Sequence, residues 1–209
     1  LNGGNLTQSL TNIKTIFSNE HAFAALDNSG TVHAWGNPLN GGDFTQSLTN
    51  IKKIFTNTYA FAALDNSGTV HVFGNELSGG YLPGDFINRN IKTIFSTYGA
   101  FAALDNSGSV QAWGFEFLGG NLTQSFTNIK TIFSTHGAFA ALDNSGTVHA
   151  WGNSNFGGNL TQSLTNIKTI FSTAQAFAAL DNSGSVQTWG NPLNGGNLTQ
   201  SLTNIKTIF

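Results

Sequence analysis

Three histidines, His33, His71 and His149, stand at the same place in a recurring phrase, Thr-Val-His. Five aspartates, Asp27, Asp65, Asp105, Asp143 and Asp181, each open an Asp-Asn-Ser-Gly tetrapeptide. Imidazoles and carboxylates are the side chains of metal sites and of acid–base catalysis. The pattern argues against both. Gln111 and Gln187 fill the histidine slot in two further copies, reading Ser-Val-Gln. A slot that accepts glutamine is not a ligand position, so it reads as surface or inter-unit hydrogen bonding. A calcium loop needs several oxygen ligands at set spacing, and each tetrapeptide offers one carboxylate. Paired-carboxylate catalysis needs two converging acids, which identical single acids in separate copies do not supply. The aspartates therefore read as turn residues. His21 and His136 fall in a variable stretch with Tyr59, Gly99 and Gln175, and that stretch reads as loop. No Ser-His-Asp set stands out, and the Gly-Gly pairs lack the lysine of a phosphate loop.

Trp35, Trp113, Trp151 and Trp189 also recur, with Phe73 at the same place in the second copy. Exposed indoles could stack on sugar rings or on a partner, which makes these four the candidate ligand or partner contacts. Tryptophan at a strand end more commonly fills a gap between packed units. No catalytic, cofactor or metal residues are nominated. Asn5, Asn121, Asn159 and Asn197 each begin Asn-Leu-Thr, a glycosylation acceptor spelling in a secreted eukaryotic protein.

These residues recur because the chain is a repeat. The turn aspartates are spaced at 38, 40, 38 and 38 residues, and residues 1–17 are spelled again at 193–209. Residues 1–209 thus read as a single repeat array of five units plus a duplicated part-unit, with one irregular connection at 76–90 holding Glu76, Asp85 and Arg89. That connection reads as drift within a duplicated array. The chain starts in mid-repeat without methionine, as an excerpt of a longer array would.

Asn-Ile-Lys-Thr-Ile-Phe is rich in β-branched and aromatic residues and predicts a strand. Strict alternation would point Ile13, Thr15 and Phe17 one way and Lys14 and Ile16 the other. The two short apolar runs flanking Asp-Asn-Ser-Gly predict a hairpin, with Gly30, Gly68, Gly108, Gly146 and Gly184 supplying positive φ. One hairpin alone is marginal. The apolar residues on both faces predict stacked units, with the alanines of Ala-Phe-Ala-Ala-Leu allowing close approach. The Leu-Thr-Gln-Ser-Leu stretch of each connection is open between a helical turn and a short outer strand.

Composition narrows the function classes. Only 9% of the residues are charged, but 39% are hydrophobic and eighteen are Phe, which favours a packed core over disorder. A net charge of −2 without a basic cluster argues against nucleic acid. Cysteine is absent, so no disulfide or thiolate chemistry is available. No apolar run has the length of a membrane span.

The segment Gly-Ala-Phe-Ala-Ala-Leu-Asp-Asn-Ser-Gly-Thr-Val-His-Ala-Trp-Gly, followed by a Gly-marked loop and Ile-Lys-Thr-Ile-Phe, resembles the regulator-of-chromosome-condensation repeat, a β-propeller blade family. The resemblance covers nearly the whole chain and implies four-stranded blades around an axis. The 38-residue unit is shorter than that family's usual repeat, so blades of three good strands are expected. Alanine (Ala22, Ala60, Ala100, Ala138, Ala176) stands where the family often carries histidine. The resemblance also implies exchange activity toward a small GTPase, but no residue here matches a partner-specific wedge.

The expected fold is therefore all-β, tandem 38-residue antiparallel blade-like repeats in a propeller-like arc or open superhelix. Near-identical units do not converge dissimilar groups on one point, as catalysis requires. The expected function is a non-catalytic structural or interaction array. It would self-associate end to end into filaments, at a cell surface or outside the cell, with itself or another protein as partner. The alternatives are a multivalent glycan-binding propeller and a protein-interaction propeller of the regulator type.

Overall fold

The computed structural model describes residues 6, 9–43, 47–122 and 124–208. Among them fifteen strands form five separate three-stranded antiparallel sheets, each in sequence order. We number the sheets as blades 1 to 5. Blade 1 holds β1 (Ile13–Ser18), β2 (Ala22–Asp27) and β3 (Val32–Gly36); blade 2 holds β4 (Ile51–Thr56), β5 (Ala60–Asp65) and β6 (Val70–Gly74). Blade 3 is β7 (Ile91–Ser96), β8 (Ala100–Asp105) and β9 (Val110–Gly114). Blade 4 is β10 (Ile129–Ser134), β11 (Ala138–Asp143) and β12 (Val148–Gly152), and blade 5 is β13 (Ile167–Ser172), β14 (Ala176–Asp181) and β15 (Val186–Gly190).

The first strands β1, β4, β7, β10 and β13 lie side by side in that order, so they line the inside of an arc of blades. Each middle strand shows one face to each neighbouring blade. Ala22, Ala24 and Leu26 of blade 1 pack with Ile51, Ile54, Phe61, Ala63 and Phe73 of blade 2. The same set recurs at the three later junctions, with Trp113, Trp151 and Trp189 in the place of Phe73. Alanine on one face and a large ring on the other let neighbouring sheets interdigitate without voids.

Strict alternation fails at the start of each first strand. The register shifts between Ile13 and Thr15, and at the same place in the other four blades. A bulge inserts one residue and turns the side chains before it to the other face. Ile51 and Ile54, three residues apart, therefore share one cluster.

The hairpin turns are as the tetrapeptide predicts. Asp27 Oδ1 accepts from the Ser29 N–H, the Ser29 hydroxyl and the Thr31 N–H at 2.9, 2.6 and 2.8 Å. Gly30 has φ +84°, a left-handed conformation that favours glycine. Its carbonyl accepts from the Ile51 N–H at 2.9 Å, tying the turn to the next blade.

Each connection begins with a short 3-10 turn, such as Pro38–Asn40, and ends at an asparagine with φ near +60°. The stretch between is neither helix nor strand: it reaches the third strand through one backbone bond, as from Val148 N–H to Leu164 O at 3.0 Å. One bond does not make a ladder, so each blade keeps three strands. In the irregular 76–90 connection the Asn88 side chain replaces that carbonyl, accepting from Val70 N–H at 2.6 Å and donating to Val70 O at 2.8 Å. Phe86 then packs edge-on against Trp113.

Candidate interaction surfaces

Three surfaces stand out, one at the inside of the arc and one at each of its two ends. The inner surface is built by the turns joining first to second strands. Each turn opens on a residue with a side-chain acceptor: Asn19, Asn57, Thr97, Thr135 or Thr173. Asn57 Oδ1 accepts from the Tyr59 and Ala60 N–H groups at 2.9 and 2.8 Å, and its Nδ2 donates to Ser78 O at 2.6 Å. Thr135 Oγ1 does both tasks in blade 4, taking the Ala138 N–H at 3.1 Å and donating to Phe156 O at 2.9 Å. Asparagine and threonine interchange because each offers a donor and an acceptor at short reach.

The pinned turns then project the next two residues, which are Glu20-His21, Thr58-Tyr59, Tyr98-Gly99, His136-Gly137 and Ala174-Gln175. Their backbones link from blade to blade: Thr58 N–H to Tyr98 O at 3.2 Å, Tyr98 N–H to His136 O at 2.9 Å, and His136 N–H to Ala174 O at 2.8 Å. Together the turns ring a cavity of about 710 Å³ that we call the axial mouth.

Two rings, Tyr98 and His136, line this mouth, and Tyr59 and His21 continue the series beside it. His21 stacks on Tyr59 with centroids 5.7 Å apart, Tyr59 meets Tyr98 edge-on at 5.7 Å, and Tyr98 meets His136 at 6.1 Å. The Tyr98 hydroxyl also reaches across two blades to donate to Glu20 Oε1 at 3.4 Å. Its hydrogen bond with Tyr59, and then the negative charge of Glu20, raise the Tyr98 pKa above the usual 10.0, which keeps it a donor. The variable stretch holding His21 and His136 is loop, as expected. That its members face one another is visible only once the blades are arranged radially.

The four tryptophans lie elsewhere. Trp113, Trp151 and Trp189 are buried between blades, and their Nε1–H groups donate to Gly79, Gly119 and Gly157 carbonyls at 3.1, 3.1 and 2.9 Å. Each stacks on the phenylalanine opposite it in its own sheet. They fill gaps, and their faces are closed to sugar rings or partners. Trp35 differs: it stacks on Phe23 at 5.3 Å but stays half-buried. Of the four candidate contacts, three are thus buried between blades and Trp35 is half-buried.

Trp35 marks the first end face. Ile16 of blade 1 is 56% exposed, whereas its counterparts Ile54, Ile94, Ile132 and Ile170 are 1–3% exposed. Ile16, Phe23 and Trp35 form the side that, in every other blade, is covered by the preceding one. The other end face belongs to blade 5. A Cβ on Gly119 or Gly157 would meet the phenylalanine of the next blade at 2.7 Å, whereas one on Gly195 would meet nothing within 4 Å. Phe171, Ala178 and Ile208 border the opening there. Residues 204–208 follow the interior pattern, with Asn204 at φ +60° and Ile205 N–H donating to Gly184 O at 2.9 Å. They sit where the first strand of another blade would.

The histidines of the Thr-Val-His slot bond within one hairpin, not between blades. His33, His71 and His149 each place Nε2 3.2 Å from Oδ2 of Asp27, Asp65 and Asp143. In blade 3 Gln111 instead pairs with the backbone of Ile87, at 2.6 and 3.0 Å. No group of three or more metal-ligating side chains occurs among the described residues. Asn5 lies outside the described residues; Asn121, Asn159 and Asn197 are all exposed on the connections. No helix among the described residues is long and apolar enough to cross a membrane.

No family model and no curated protein matches this chain. Solved structures do. Prp20p of Saccharomyces cerevisiae, reported with its binding to Gsp1p and histones, aligns over 93% of this chain and 63% of its own at 16% identity, with a TM-score of 0.56. Human WBSCR16 aligns over 87% and 62% at 17% identity, TM-score 0.54. The ectodomain of the Physcomitrella patens receptor kinase CR4 aligns over 85% and 52% at 16% identity, TM-score 0.57. The chain thus spans under two thirds of the length of these structures. Prp20 is also described as yeast RCC1. Five antiparallel blades of about 38 residues, stacked in an arc, give this chain the repeat fold of the regulator-of-chromosome-condensation propellers.

Proposed function

We propose that the chain is a non-catalytic interaction array whose two end faces join copies head to tail. The observation that carries this reading is the fourfold repetition of one junction, whose two halves stand open at opposite ends of the arc. In a second copy, Phe23 and Trp35 would meet Gly195 as Phe177 and Trp189 meet Gly157. Residues 204–208 carry the same five letters as 12–16, Asn-Ile-Lys-Thr-Ile. β1 of the incoming copy can therefore take their place beside blade 5, with the Gly184 carbonyl accepting from the incoming Ile13 N–H as it now accepts from the Ile205 N–H.

The magnitudes set the concentration scale. Burying Ile16, Phe23 and Trp35 contributes roughly 1.5–3 kcal/mol each, against about 4–15 kcal/mol for lost translational and rotational freedom. Assembly should be weak and concentration-dependent. Sedimentation velocity across a concentration series, with negative-stain microscopy, should show chains of discs growing with concentration. Gly195→Ala should abolish that growth, because its Cβ meets nothing until a second copy arrives. At φ +98° it costs the single chain roughly 1–2 kcal/mol, which a melt of the dilute variant measures separately. Single discs at every concentration would overturn the reading.

A further inference from the structure

The axial mouth is the one place where the units differ and still converge. The turn residues here differ from blade to blade, and the side chains that line the mouth include Glu20, Tyr98 and His136 among small polar residues. Among the described residues Glu20 is the only carboxylate lining the cavity, and no lysine or arginine lines it. The rest of the rim offers hydroxyl and amide groups from Ser18, Ser134, Thr58 and Asn19. Tyr98 is 38% exposed, and Glu20 and His136 are exposed as well, so these three side chains are open to a ligand.

We infer that the axial mouth binds a guanidinium group, as the arginine side chain of a partner protein would present it. Three features select that chemistry. Aromatic faces attract a cation through their ring quadrupole. A planar guanidinium can stack on the Tyr98 ring while its N–H fork engages a carboxylate, whereas an ammonium is a compact and more strongly hydrated charge. The hydroxyl of Tyr98 reaches Glu20 Oε1 at 3.4 Å, so the carboxylate and the Tyr98 ring are neighbours before binding. A volume of about 710 Å³ exceeds one side chain and leaves room for the flanking peptide backbone against the hydroxyl rim. This inference is independent of head-to-tail assembly, because no end-face residue takes part.

The chain has three tyrosines, and Tyr81 lies exposed on the 76–90 connection, apart from the mouth. Labelling with 3-fluorotyrosine therefore gives two reporters and an internal control. Titration with N-acetyl-arginine amide should shift the Tyr59 and Tyr98 resonances in a saturable way and leave Tyr81 still. N-acetyl-citrulline amide, equal in shape but uncharged, should bind several-fold more weakly. Glu20→Gln should weaken arginine binding about three- to fivefold, the scale of an exposed ion pair, and added salt should weaken it in the parent chain but not in the variant. Glu20 is exposed, so the variant should melt with the parent chain. Equal binding of citrulline, equal shifts at Tyr81, no saturable shift, or unchanged affinity in a folded Glu20→Gln variant would each overturn the inference.

Discussion

Asn128 shows how a single residue type sets the entry to each blade. It has φ +60°, and five further asparagines hold the same position and conformation. Left-handed backbone costs an ordinary L-residue roughly 1–2 kcal/mol, while asparagine and glycine tolerate it. The side chain adds a second link, because Asn144 Nδ2 donates to both Asn128 O and Asn128 Oδ1 at 2.9 Å. Asn128→Ala should therefore lower the unfolding free energy in urea by about 1–2 kcal/mol, and Asn128→Gly by less. Equal losses for the two variants would show that the side-chain bond, not the backbone, dominates. The turn aspartates were legible in the sequence because all their partners lie within a few residues of them. The partners of Tyr98 lie in other blades, on Glu20, Tyr59 and His136, and no local spelling announces them.

At the scale of the element, the blade is held by what passes between it and the next one. Trp151 offers a clean probe, since its indole N–H donates to Gly119 O across the junction while its ring stacks on Phe139 at 5.1 Å. Blade 2 uses Phe73 at this place and stacks it on Phe61 at 4.9 Å. Trp151→Phe should keep the stack and lose the hydrogen bond with part of the packed area, costing about 1–3 kcal/mol. A smaller loss at Trp35, which has no covering blade, would confirm that the junction and not the sheet is being measured. Three-strandedness was expected from the short unit. The bulge beside Lys52 was not legible, because alternation in the letters fits a flat strand, and only the packing of Ile51 and Ile54 against one neighbour reveals the inserted residue.

The whole molecule sums small local terms, and acid is the condition that adds them. Burial pulls the Asp65 pKa up, but the Ser67 hydroxyl, the Thr69 and Ser67 N–H groups and His71 outweigh it and hold it near 2. The same turn lowers Asp27, Asp105, Asp143 and Asp181. An unfolded aspartate titrates near ~3.9, so between that value and the folded pKa the unfolded chain binds more protons. The stabilisation is then present above pH ~4 and is lost as pH falls toward the folded values. Thermal melts should hold steady from neutrality to pH ~4 and fall between pH ~4 and ~2, with proton uptake on unfolding. A flat profile across that window would remove the turns from the account of stability.

Spelling alone determined the unit, its turns, its all-β character and the need for neighbours, because each follows from contacts a few residues apart repeated five times. Tertiary structure decided where the tryptophans go, which faces stay open, and that the most variable residues meet at the axis. Those outcomes depend on rotation from one blade to the next, and a rotation is set by packing between sheets, which linear order does not record.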